Sequence, residues 1–239
     1  MQHDGDVSDE SPTFGTAPGF LETLADGVCR RAFSSPEAFL YELTIARALA
    51  TVVEPLVKER ISGNRCLDVG SGGGLIAHGV ARSGPREVVG IDPSQAQVRR
   101  FARRDRTGER LSVIRARAED LPFSDDSFDS LYSSCTWKHW PDPARGVSEC
   151  VRVTRVGGPI VIIEVDGASD EETFRRFAYS SQVPFGLRKA YVRFALRTVV
   201  GVAPDANALA KSFTGVPGDG LTVTKLEDLP FLVALTTAG

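Results

Sequence analysis

The stretch Cys66-Leu67-Asp68-Val69-Gly70-Ser71-Gly72-Gly73-Gly74-Leu75 decides the fold. Cys66 to Val69 is a short, mostly apolar run of strand length. The glycines after it let the chain turn sharply and let a ligand approach the main chain at a helix N-terminus. Leu75 to Arg82 has helix length, Ser83-Gly84-Pro85 breaks it, and Val88-Val89-Gly90-Ile91 is a second apolar run. Strand, glycine turn, helix and strand make a β-α-β unit with parallel strands.

The alternation continues outward. Ser112 to Arg115, Phe128 to Ser133 and Ile160 to Val165 read as further strands, and Gln95 to Arg103 and Pro143 to Val153 as the helices between them. Helices then cover both faces of a mostly parallel sheet. Leu221 to Thr224 and Pro230 to Thr236 are expected to close it as an antiparallel hairpin, which brings the strands to seven. Ser169-Asp170-Glu171-Glu172 reads as a capping box and Arg188 to Val200 as another helix. We assign 169–212 to a helical lid over the carboxyl ends of the strands. In it Leu187, Tyr191, Phe194 and Thr198 share one helical face, and Lys189, Arg193 and Arg197 another, which suits either a substrate anion or solvent. Upstream, Ser35-Pro36 opens a helix whose stripe Phe39, Leu43, Ala46, Ala50 and Val53 is expected to be bent or broken at Pro55.

The 239 residues are 42% hydrophobic and 25% charged, enough to bury one sizeable core. We expect a disordered polar tail over 1–16 and a single domain over 17–239, with N-terminal helices over about 17–60. A net charge of −3 and a pI near 5.7 argue against nucleic acid as the main partner. Cys29, Cys66, Cys135 and Cys150 form no C-x-x-C pair, and His3, His78 and His139 complete no zinc pattern. The expectation is a reduced, metal-free, cytoplasmic protein. No run of about 18 apolar residues exists, so integral membrane association is not expected.

A nicotinamide dinucleotide loop of the type Gly-x-Gly-x-x-Gly would need glycine where Leu75 stands. Asp68, at the strand end, would repel a pyrophosphate and suits a cationic or amino-bearing ligand. Asp92 ends the next strand, 22 residues after Gly70, where an acid accepts hydrogen bonds from both ribose hydroxyls; its other reading is a helix N-cap. Loop and acid together point to a nucleoside-containing cofactor.

Between Cys66 and Glu164 the chain resembles the class I S-adenosylmethionine-dependent methyltransferases, especially the small-molecule branch of ubiquinone and menaquinone methyltransferases. Leu67 to Gly74 is similar to the family's first motif and Gly90-Ile91-Asp92-Pro93-Ser94 to its second. Ala118-Glu119-Asp120-Leu121-Pro122-Phe123 with Asp126-Ser127-Phe128-Asp129 resembles its adenine-side segment and fourth strand. Trp137-Lys138-His139-Trp140-Pro141-Asp142 stands where that branch usually has a histidine pair before Pro-Asp, and Arg155-Val156-Gly157-Gly158 resembles the turn before its fifth strand. The resemblance implies a Rossmann-like fold and S-adenosylmethionine as cofactor, released as S-adenosylhomocysteine. It implies that Asp68 reaches the methionine amino group and that the backbone around Gly70, Ser71, Gly72 and Gly74 approaches the methionine and ribose. Asp92 then binds the ribose, Ala118 and Glu119 border the adenine, and Pro93, Gln97 and Ser133 complete the cofactor set. Two positions depart from the pattern: Arg117 replaces an aspartate common in relatives, and Gln97 an apolar residue.

Methyl transfer from a sulfonium is an in-line displacement, so alignment in a dry site supplies much of the acceleration and no metal is required. Ser133 to Trp140 follows the fourth strand at a carboxyl end of the sheet, where open α/β folds bind ligands. Ser134, Trp137, Trp140 and Tyr191 are the substrate-contact candidates, although both tryptophans also suit packing beneath the lid. His139 is the candidate catalytic base, with the architecture of its loop as the alternative. Cys135 is expected to be inert. The expected activity is methylation of oxygen or carbon on a small, partly apolar molecule. Its rivals are a regulatory protein that binds the cofactor without turnover and an NAD-dependent oxidoreductase, the latter opposed by Leu75 and Asp68.

Overall fold

The computed structural model describes residues 46–82, 87–104, 110–180, 189, 192–193, 196 and 199–239. The tail 1–16, the helix start at Ser35-Pro36, and Leu187, Tyr191, Phe194, Arg197 and Thr198 of the expected lid lie outside the described residues. Seven strands form one sheet: β1 (Arg65–Val69), β2 (Glu87–Ile91), β3 (Leu111–Ile114), β4 (Ser130–Ser134), β5 (Pro159–Val165), β6 (Gly218–Lys225) and β7 (Phe231–Ala238). Their order is β3-β2-β1-β4-β5-β7-β6. The first five are parallel, and β7 lies antiparallel between β5 and β6.

Strand alternation divides the core between two faces. Cys66, Val161, Ile163 and Val165 pack with Leu49, Val53 and Val57 of α1 (Arg47–Arg60) and with Ala77 and Val80 of α2 (Leu75–Arg82). Leu67, Val69, Ile160 and Ile162 pack on the other face with Val147, Cys150 and Val151 of α4 (Pro143–Val153). Between them in the chain, α3 (Gln95–Arg104) runs from β2 toward β3, with Phe101 buried. Every parallel strand therefore starts at one end of the sheet, and the loops that leave β1, β2 and β4 emerge together at the other.

Several boundaries differ from the sequence reading. The expected break at Pro55 does not occur, because α1 continues to Arg60 with Pro55 on its exposed side. An interior proline costs about 3 kcal/mol. Burying Val57 and, just beyond the helix, Ile61 offsets that at about 1.5–3 kcal/mol each. β4 begins at Ser130 rather than Phe128: Phe128 forms an isolated bridge with Thr154, and Asp129 Oδ2 accepts from the amides of Asn64 at 2.8 Å and Arg65 at 2.9 Å. The cap of α5 (Glu171–Ser180) is Asp170 and not Ser169, since Asp170 Oδ1 accepts from Thr173 N at 2.8 Å. Within 169–212, α5 buries Phe174 and Phe177 on the α1 face, with Phe177 edge-on to Phe231 at 5.2 Å. α6 (Ala206–Lys211) buries Leu209 on the opposite face.

Candidate cofactor and acceptor site

The loop after β1 is tied to β2, because the N–H groups of Gly70 and Ser71 both donate to the Ile91 carbonyl, at 2.9 and 2.8 Å. Gly70 has φ +80°, and a Cβ there would stand 2.5 Å from Thr136 Oγ1. Gly74 has φ +78°, and a Cβ would meet the Phe101 ring at 2.6 Å. Both positions require glycine, for handedness and for room.

Asp92 joins the loops after β1 and β2. Its Oδ2 accepts from Gly72 N at 3.0 Å and its Oδ1 from Ser94 N at 2.8 Å. Ser94 precedes α3, and its Oγ accepts from Gln97 N at 3.4 Å, so the capping position belongs to Ser94. Burial raises the Asp92 carboxyl to about 6, against the lowering pull of the two amides. Each of its oxygens keeps a lone pair for a further donor. Asp68 lies in register beside Tyr132 of β4 and is 2% exposed. Burial pushes it up to about 8; Tyr132 lowers it and the neighbouring Asp92 charge raises it further. Two crowded carboxyls of this kind favour a ligand that brings a cation and hydroxyl donors.

Ser71 Oγ, Gln97 Oε1 and Ser134 Oγ are buried without a hydrogen-bond partner among the described residues. Leaving such groups unpaired costs about 1–3 kcal/mol each, which a polar ligand would recover. Gln97 is 2% exposed, with Nε2 3.9 Å from the position of a Cβ on Gly72. On the adenine side, Ala118 packs into the core with Leu67 and Ile91. The Glu119 carboxylate accepts from Asp142 N at 3.3 Å, and its carbonyl accepts from Arg145 Nε at 2.8 Å. Pro93 is half-buried, its carbonyl accepting from Arg115 Nε at 3.0 Å. Arg152 clamps this segment onto α4 by donating to the carbonyls of Leu121 and Phe123, at 3.1 and 2.8 Å.

The segment after β4 is held on three sides. Ser133 Oγ and Thr136 Oγ1 share a hydrogen bond of 2.7 Å, and Thr136 Oγ1 donates to the Val69 carbonyl at 3.1 Å. The Ser133 hydroxyl is thus spent on the turn. Cys135 has φ +57° and donates its N–H to the Ile163 carbonyl at 2.7 Å. Burial pushes its thiol up to about 12, which makes it a poor nucleophile. Lys138 Nζ donates to Glu164 Oε1 at 2.7 Å and to the Cys135 carbonyl at 2.9 Å, and Lys138 N donates to Glu164 Oε2 at 3.2 Å. With side chains only 6% and 0% exposed, Lys138 and Glu164 form a buried ion pair that staples the turn to the end of β5.

Sequence reasoning missed Thr136, Lys138 and Glu164 as organisers of this turn. One signal was available: Glu164 is the lone charge in an apolar strand, and a buried charge demands a partner. Of the two tryptophans, Trp140 packs in the core against Gly146 of α4, the packing alternative of its sequence reading. Trp137 donates from Nε1 to Ser212 Oγ at 3.1 Å, tying the turn to the residues after α6. His139 is half-buried at the end of the one-turn helix Trp137–His139, with its N–H bonded to the Thr136 carbonyl at 2.9 Å.

Residues 67–162 match the family described as a methyltransferase domain. The match covers less than half of the chain. A demethylmenaquinone methyltransferase of Clavibacter sepedonicus is 35% identical over 125 residues, covering 52% of this chain and 47% of that protein. A ubiquinone biosynthesis O-methyltransferase of Alkalilimnicola ehrlichii is 40% identical over 104 residues, 42% of this chain and 41% of that protein. The chain spans less than half the length of these curated relatives. The fold is shared with a SAM-dependent methyltransferase of Aquifex aeolicus, at TM-score 0.63 and 15% identity over 87% of this chain and 100% of the other. A SAM-dependent methyltransferase of Thermotoga maritima gives TM-score 0.61 and 20% identity over 85% of this chain and 95% of the other. The matched domain ends inside β5, so α5, α6 and the β6–β7 hairpin lie outside it.

Proposed function

We propose that this chain transfers a methyl group from S-adenosylmethionine to an oxygen or carbon of a small, partly apolar molecule. The observation that carries the reading is Asp92: a largely buried carboxylate that holds the glycine loop and keeps lone pairs for further donors, while Ser71 Oγ in that loop and Gln97 Oε1 in α3 are buried without a partner among the described residues. Those orphaned atoms fit a nucleoside that carries an amino acid. In this reading Asp92 accepts from the ribose hydroxyls, Asp68 takes the amino group, and the loop from Gly70 to Gly74 approaches the methionine and ribose. Pro93, Ala118 and Glu119 border the adenine, while Ser133 acts through Thr136. Bound there, the cofactor supplies a methyl group already activated on a sulfonium.

What remains for the protein is to align the acceptor and exclude water. Ser134 and Trp137 face that task after β4, with 169–212 as the wall around it; Tyr191 is the further substrate contact we assign to that wall. His139 shapes the turn. Relatives named for demethylmenaquinone and ubiquinone biosynthesis support an aromatic, hydroquinone-like acceptor. A cysteine spacing with no C-x-x-C motif supports a cytoplasmic, metal-free reaction, and no helix among the described residues is long and apolar enough to cross a membrane.

Titration calorimetry tests this reading. S-adenosylhomocysteine should bind at micromolar affinity and NADH should not; the reverse result would sink it. Tight binding with no methylation across a panel of hydroquinones and enols would leave the regulatory reading instead.

A further inference from the structure

Residues 95–117 hold eight arginines, no lysine and only two acids, Asp105 and Glu109. This stretch therefore carries +6, which leaves −9 on the rest of a chain whose net charge is −3. Its described residues, 95–104 and 110–117, lie together in the fold: α3 packs beside β3, the terminal strand at one edge of the sheet. Arg99 and Arg103, four residues apart, lie on the exposed side of α3, and Arg115 and Arg117 are exposed just beyond β3. Ile114, at the end of β3, is 39% exposed among them.

We propose that this edge docks on the surface of an anionic lipid bilayer. Guanidinium groups fork onto phosphate oxygens, and an apolar side chain amid cations suits the boundary between headgroups and acyl chains. Single-stranded nucleic acid is less well matched, because it needs exposed aromatic rings for stacking and the one aromatic in the stretch, Phe101, is buried. The net −9 on the remaining residues favours contact through this edge. The inference rests on the proposed acceptor class in one respect: a partly apolar acceptor dissolves in a bilayer, and docking brings the enzyme to it.

Vesicle co-sedimentation of the full chain tests the proposal. Vesicles of phosphatidylcholine with about a third phosphatidylglycerol should bind the protein at least tenfold more tightly than pure phosphatidylcholine, and high salt should release it. Arg99→Gln/Arg103→Gln should weaken that binding by about 30-fold. Its affinity for S-adenosylhomocysteine should stay unchanged. Equal binding to neutral vesicles, no binding to either, or full retention by the double variant would overturn the docking surface. Tighter binding to an RNA oligonucleotide than to anionic vesicles would overturn it too, in favour of nucleic acid. Because vesicle binding and S-adenosylhomocysteine calorimetry are read separately, failure of docking and failure of the methyltransferase reading are distinguishable.

Discussion

Replacing Asp92 with asparagine separates its two roles. The carboxylate holds Gly72 N at 3.0 Å and Ser94 N at 2.8 Å, and in the proposed function also receives the ribose hydroxyls. Asparagine keeps the shape but has one acceptor oxygen, so its NH2 group must face an amide or a hydroxyl it cannot accept from. Hydrogen bonds to a charged group contribute about 1.5–3 kcal/mol, so Asp92→Asn should weaken S-adenosylhomocysteine binding by about 10- to 150-fold at pH 7. Stability should change far less. Burial lifts this acid from its ordinary value of 3.8 to about 6, so the native state binds the proton more tightly than the unfolded chain. Ionisation therefore costs stability, with no cost below pH 3.8 and the full cost above about pH 6; asparagine escapes that cost, offsetting the hydrogen bond it loses. A pH series supplies the sharper test. In the wild type, affinity should fall as pH drops below about 6, because the ligand prefers the ionised carboxylate, and this limb should vanish in the variant. Calorimetry at several pH values, with thermal melts as the folding control, measures both. A folded variant with wild-type affinity, or with the acid limb intact, would refute the reasoning.

Asp68, raised from 3.8 to about 8 by burial, should make the free protein less stable as pH climbs from about 4 to about 8, with no further loss above that, and Asp68→Asn should flatten that slope in thermal melts. At pH 7 the cofactor's ammonium group should expel the Asp68 proton, so calorimetry in buffers of different ionisation enthalpy should show proton release that the variant lacks. Lys138→Met strands the Glu164 charge in the core and should cost about 3–5 kcal/mol in urea unfolding, whereas Lys138→Met/Glu164→Leu should regain most of it. Equal losses in the single and double variants would show that the pair is not coupled. His139→Gln should lower the melting temperature or weaken acceptor binding while the pH–rate profile keeps its shape. A stable variant with normal binding, turnover about a thousandfold lower and no acid limb would make His139 the base.

The β-α-β unit was legible in the sequence because its determinants are local. Cys66 to Val69 and Val88 to Ile91 declare strands by their own composition, and the glycines between them declare the turn; the parallel sheet and the positions of Asp68 and Asp92 follow from those short patterns. Other features were settled by groups far apart in the chain. The stop expected at Pro55 is overridden by burial of Val57 and Ile61, which depends on the sheet beneath them. The hairpin of β6 and β7 is local, but that β7 and not β6 lies against β5 is a pairing that no adjacent residues encode. That Ser94 and not Asp92 holds the capping position before α3, with Gly72 within reach of the Asp92 carboxylate, was decided only by the fold. Trp140 proved to be core because Gly146 leaves room for its ring. Lys138 and Glu164, 26 residues apart, become one ion pair only where the ends of β4 and β5 meet, since an interaction that depends on desolvation and a 2.7 Å approach exists in the folded chain alone.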